Sequence, residues 1–185
     1  MSAIDRLLTN YSRQVRLPWS ASRSGKQRVW FAVYPPADER RVRARLPQFE
    51  ATTLEAQHEW LTVDLTSLLP QWMAEYEYRE AAFKEPGQFT MGSQIEDLAV
   101  DRVRHACNSE DATATCVVAV TGLATLFDYM RVSSLVERVE DSVRGRLLVF
   151  FPGEYAGNVY RFMDARDGFN YMAVPITATE SFIQS

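Results

Sequence analysis

The sequence predicts an α/β protein: a mainly parallel sheet flanked by helices on both faces, with a C-terminal β-hairpin. Three observations carry this. Two apolar runs, Cys116–Val120 and Leu147–Phe151, are rich in β-branched or aromatic residues and do not alternate with polar ones, as expected of strands buried on both faces. A segment of helical period lies between them, which makes a βαβ unit. Strand-like and helix-like stretches also alternate along most of the chain.

Taken in order, Ser2 to Asp5 reads as a capping box that opens a helix, with Ile4, Leu7, Leu8, Tyr11 and Val15 on one face. Pro18 ends it, and Ser20–Gln27 is a short polar connector. Residues 1–27 thus form a helix and connector, an arm that packs on the domain or on a partner, and residues 28–185 form a single α/β domain. Arg28–Tyr34 is the first strand, stopped by Pro35-Pro36. A charged helix follows from Asp38, burying Val42, Leu46 and Phe49. Glu59–Leu65 is the second strand, with Trp60 on one face and Leu61, Val63 and Leu65 on the other.

Thr66 is placed to cap the next helix, marked by Leu69, Trp72, Met73 and Tyr76; Pro86-Gly87 breaks the chain. Ser93 to Glu96 is a second capping box, ahead of Ile95, Leu98 and Val103. The helix from about Arg131 to Val143 carries Val132, Leu135, Val136, Val139 and Val143 on one stripe. After the strand Arg146–Phe151, Val159–Met163 and Phe169–Ile176 pair as a hairpin across Asp164–Gly168.

The chain has 185 residues, is 46% hydrophobic and carries a net charge of −4. That is enough apolar content for a core without disulfides or a structural metal. The acidic balance speaks against sequence-independent nucleic-acid binding, although 18 of the 20 basic residues are arginine. Arg40, Arg41, Arg43 and Arg45 follow Asp38 and Glu39 and read as a solvated helix face. No run approaches the roughly 20 apolar residues of a membrane span, and no signal peptide opens the chain, so a cytoplasmic protein with reduced thiols is expected.

Sites on such a sheet lie beyond the carboxyl ends of the strands. Thr121-Gly122 occupies the place of a phosphate-binding loop, but the letters there are GLATLFDYMRVSS, without the second glycine and the lysine that cradle phosphates. Asp64, Asp128 and Glu154 are the candidates for a metal-dependent nuclease; the simpler reading makes them turn caps and an exposed turn residue. Cys107, Cys116, His58 and His105 have no metal-ligand or nucleophile spacing. No cofactor and no metal is expected. Aromatic residues in turns, Phe127, Tyr129 and Tyr155, suit a protein interface.

The segment from Val117 to Val139, with RLLVFFPGEYAGNVYRF and FNYMAVPI after it, resembles the BrxB family of BREX bacteriophage-exclusion systems. The shared positions are Gly122, Phe127, Tyr129, Arg131, Ser134, Leu135 and the run Phe150, Phe151, Pro152, Gly153, Tyr155 and Gly157. The likeness extends over about Arg28 to Ile176. It implies a small cytoplasmic component of an antiviral defence operon with no assigned catalytic activity. The expectation is a non-enzymatic adaptor that binds other BREX components, a PglZ-like protein first among them, through Phe127, Tyr129, Arg131, Pro152, Gly153 and Tyr155. The alternative is an enzyme, a degenerate P-loop-like nucleotide-binding protein or a metal-dependent nuclease.

Overall fold

A computed structural model describes residues 1–20, 22–75, 80, 84 and 91–179. Tyr76, Tyr78 and the Pro86-Gly87 break fall outside these. The described elements are α1 (Ala3–Val15), β1 (Val29–Tyr34), α2 (Glu39–Glu55), β2 (Glu59–Asp64), α3 (Leu68–Glu75), α4 (Met91–Cys107), β3 (Cys116–Thr121), α5 (Val132–Val139), β4 (Arg146–Ala156), β5 (Val159–Phe162) and β6 (Val174–Ile176).

The strands run in the order β2-β3-β4-β1-β6, and every pair along that path is parallel. The predicted α/β class therefore holds, with helices on both faces. Burial explains why the apolar runs did not alternate. On one face Phe31, Val118, Val149 and Phe151 meet Ile95, Val103, Leu135 and Val139 of α4 and α5. On the other, Trp30, Ala119, Leu148 and Phe150 meet Val42 and Phe49 of α2 and Leu7 and Tyr11 of α1. Two faces must be apolar, so every residue of β1 and β3 is buried.

The α1 helix opens with the expected capping box, Ser2 and Asp5 bonding reciprocally. It packs on the domain: Leu7, Tyr11 and Val15 are at most 1% exposed. Its Asn10 and Arg6 side chains also donate to the carbonyls of Thr177 and Ala178, just past β6.

Three expectations change in detail. Ser93 lies within α4, which is already helical at Met91, and Glu96 instead accepts from Ser134 of α5 and pairs with Arg138 at 3.2 Å. The hydroxyl of Thr66 is taken by Asp64 and Arg43. The C-terminal hairpin is present, but its partners differ. Val159–Phe162 pairs with Gly153–Ala156 of β4, across a two-residue turn in which Gly157 and Asn158 both have positive φ, the pattern of a type I′ turn. Phe169 touches β5 only in a single antiparallel bridge to Tyr160, and the chain then joins the sheet as β6, parallel to β1. Pro175 is tolerated there because β6 is an edge strand.

Candidate functional site

The carboxyl ends of the neighbouring strands β2 and β3 meet at Gly122. This residue has φ +82°, and a Cβ on it would lie 2.6 Å from the Thr66 amide and 2.8 Å from Asp64 Oδ1. The chain therefore needs glycine here for two reasons, a left-handed backbone and a close approach. Asp64 Oδ1 accepts from the Thr66 amide at 2.9 Å and from Arg43 at 3.3 Å. Arg43 also reaches the Thr66 hydroxyl and pairs with Glu39 at 3.3 Å, and Glu39 in turn accepts from the Tyr34 phenol at 2.6 Å. Partial burial works to raise the Asp64 carboxyl, but the Thr66 hydroxyl and amide, Arg43 and Thr121 outweigh it and hold the group below its usual range.

Beyond the strand ends a chain of mutually bonded polar groups thus runs from Tyr34 of β1 through Glu39 and Arg43 of α2 to Asp64 of β2. After Gly122 comes a short 3-10 turn, Leu123–Leu126, and α5 starts only at Val132. The space beside Gly122 where a phosphate would be cradled holds Thr66 and a carboxylate. Asp64 caps its own turn, and Asp128 and Glu154 are exposed. Among the described residues no group of three or more His, Cys, Asp or Glu is placed to hold a metal ion. The Asp-x-Thr spacing of Asp64 and Thr66 is a local turn signal that sequence reading could have used. The Glu39–Arg43 pair is an i,i+4 spacing within α2 and is equally local. The pairing of Arg43 with Asp64 has no such signal, because it joins separate elements.

The remaining arginines of α2 are also largely engaged: Arg41 pairs with Asp38 at 3.1 Å and Arg45 with Asp5 at 3.3 Å. The face is solvated and balanced by acids, as its composition indicated.

The six residues expected at a partner surface lie around the end of β4. Its first part runs parallel to β1 as far as the Tyr34–Pro152 pair, and from Gly153 it pairs with β5 alone. Pro152 marks that change, and its carbonyl accepts from Met163 at 2.8 Å. Pro152 and Gly153 are buried. Gly153 does not have a positive φ; a Cβ there would strike the Arg161 carbonyl of β5, so close approach, not turn geometry, requires it. Phe127 packs edge-on against Phe162, 5.6 Å between centroids, which brings the turn after β3 against the hairpin. Tyr155 lies on Tyr160 at 4.6 Å and donates to Asn158 at 3.0 Å. Phe127, Tyr129 and Tyr155 are half-buried against the core, and Arg131 is exposed.

No helix among the described residues is long and apolar enough to cross a membrane. No curated protein and no solved structure matches the sequence. A sequence model of one family, the BREX protein BrxB, matches residues 62–176, from within β2 to the end of β6. It spans β3, the Gly122 turn, α5 and the whole of the β4–β5 hairpin, and it starts later than the Arg28 boundary that the sequence suggested. This chain belongs to the BrxB family, and is a component of a BREX phage-defence system.

Proposed function

We propose that the protein is a non-enzymatic adaptor of the BREX machinery, which binds another protein of the system, a PglZ-like protein first among the candidates. One observation carries this reading. Beyond Pro152, β4 leaves the sheet and continues as a two-stranded hairpin, with Glu154 and Arg161 exposed and Tyr155 half-buried along it. A half-exposed aromatic residue on a stiff element, ringed by charges, is the usual composition of a contact patch. Phe127, Pro152 and Gly153 serve the same surface from beneath, by fixing the hairpin against the turn after β3. Tyr129 and Arg131 extend it along that turn.

The test is an affinity pull-down of the tagged protein from cells that carry its own operon, followed by mass spectrometry. Recovery of a stoichiometric BREX protein supports the adaptor role, and a PglZ-like protein among them supports the finer assignment. Recovery of the protein alone, at both low and high salt, overturns it.

A further inference from the structure

At the opposite end of the sheet, where the strands begin, is an arrangement that the hairpin does not explain. Arg146 is the first residue of β4 and is 4% exposed. By strand alternation it shares the face of Leu148 and Phe150, under α1 and α2. Its Cζ lies 4.6 Å from the ring centroid of Trp19 and 5.7 Å from that of Trp30. Nη1 donates to the Gly145 carbonyl at 2.9 Å. Among the described residues no carboxylate pairs with it. The charged groups that act on it are cations, Arg23 and Arg28. Burial first, and then these two arginines, push its pKa down to about 10, so the guanidinium remains charged at neutral pH.

The indole N–H groups of Trp19 and Trp30 are buried and have no acceptor among the described residues. Cation–π contact offsets part of the cost of burying a guanidinium. It supplies neither a counter-charge nor acceptors for the indoles. A buried cation without an anion and two buried donors without acceptors therefore lie within one cluster, and an oxyanion is the kind of ligand that offers both a counter-charge and acceptors.

We propose that Arg146, Trp19 and Trp30 form a binding site for one compact oxyanion, the phosphate group of a small molecule, with Arg23 and Arg28 adding attraction. Three guanidinium groups favour an anion of more than one charge, and the free edge of Arg146 suits phosphate geometry. Burial restricts the site to a small group, because Arg146 and Trp30 are out of reach of a nucleic-acid backbone. Trp19 is the wall that faces solvent. It is partly exposed, lies outside any helix or strand, and is held in place by a stack on His58 with 3.7 Å between centroids.

The experiment is thermal unfolding of the full chain at pH 7, with chloride exchanged for inorganic phosphate at constant ionic strength. Saturation at about 100 times the Kd is expected to raise Tm by roughly 5–10 °C. Arg146→Gln removes the rise. The same rise in that variant means a general salt effect and overturns the site. Should Arg146→Gln fail to fold, Arg23→Gln and Trp19→Phe decide, the second keeping a ring while deleting an N–H. Each is expected to weaken phosphate binding several-fold, and unchanged affinity in both overturns the proposal. Absence of any rise in the wild type does so as well. A parallel titration with duplex DNA completes the test: tighter binding to DNA than to phosphate, abolished by Arg146→Gln, replaces the compact anion with a nucleic-acid surface.

Discussion

The phenol of Tyr11 and the hydroxyl of Thr53 are hydrogen-bonded to each other across the α1–α2 contact, and neither residue is exposed. Thr53 also donates to the Phe49 carbonyl at 2.8 Å, so it is Tyr11 that donates to Thr53. The Tyr11 ring packs on Phe49 and on Trp30 of the sheet. This pair makes the N-terminal helix part of the core. Tyr11→Phe is expected to cost about 1 kcal/mol, one hydrogen bond with its acceptor still engaged. Tyr11→Ala, which also empties the site, is expected to cost about 3–5 kcal/mol. Urea unfolding checks both, and a loss near zero in both variants returns α1 to the status of a loose arm.

Gly122→Ala sets a left-handed backbone against an L side chain and drives a methyl into the Thr66 amide. The expected loss is at least about 2 kcal/mol, read as a lower midpoint in urea. Gly153→Ala has no φ penalty and separates the two terms, since only close contacts oppose it, the Arg161 carbonyl and the edge of the Phe151 ring. A fall in stability in that variant, with loosened exchange protection in β5, is the signature of a pried hairpin.

Arg131→Ala probes the surface without removing a buried group, and Tyr155→Ala probes it at the cost of a half-buried ring. The folded midpoint is expected to move by less than about 1 kcal/mol for Arg131→Ala, an exposed side chain. Partner capture in the double variant is expected to fall at least tenfold, equivalent to about 1.4 kcal/mol. Full capture by a folded double variant removes these two residues from the contact.

The two cysteines are buried, and burial pushes both thiols from the ordinary 9.0 up to about 11. At pH 8 the folded protein therefore holds about a hundredfold less thiolate than the unfolded chain. Alkylation is expected to be slow in buffer and fast in urea. Equal rates would show the thiols to be accessible. The same shift sets a pH dependence. Below pH 9 both states keep their protons. As pH rises from 9 to 11 the unfolded chain ionises first, so stability declines over that window. Tyr11, Tyr34, Tyr160 and Tyr171, all raised chiefly by burial, extend the decline to higher pH.

What the letters reveal depends on how local each constraint is. Strands β3 and β4 were legible because burial on two faces writes an unbroken apolar run, and α5 because its stripe Val132, Leu135, Val136 and Val139 is contiguous and wholly buried. The capping box at Ser2 was legible for the same reason. Strand β6 falls within the stretch Phe169–Ile176 that reads as a strand, but its pairing is not legible: Val174-Pro175-Ile176 pairs with Trp30, Phe31 and Ala32, more than 140 positions earlier, and nothing local announces that. The hairpin turns at Gly157-Asn158, one turn earlier than the sequence suggests, because Asp164–Gly168 looks like a turn as plainly. Around the candidate surface, nothing in the sequence signals that Phe162 packs against Phe127, because the two come from separate elements. Arg146 appeared only as a charged strand start. Its burial depends on Trp19 and Trp30, which come from a loop and from another strand.

The position of β4 has a consequence for how the molecule is made. Among the described strands it is the fourth along the chain and the middle one of the parallel path, the one that links the β2–β3 pair to the β1–β6 pair. A growing chain that has not yet delivered Arg146–Ala156 has no route from β3 to β1, and each of those strands waits with an open edge. Long-range parallel pairing of this kind is slow to form. Closure therefore comes late in biogenesis: synthesis past Ala156 seats β4 between β3 and β1, and β5 and β6, made last, complete the hairpin at one end and the outer edge of the sheet.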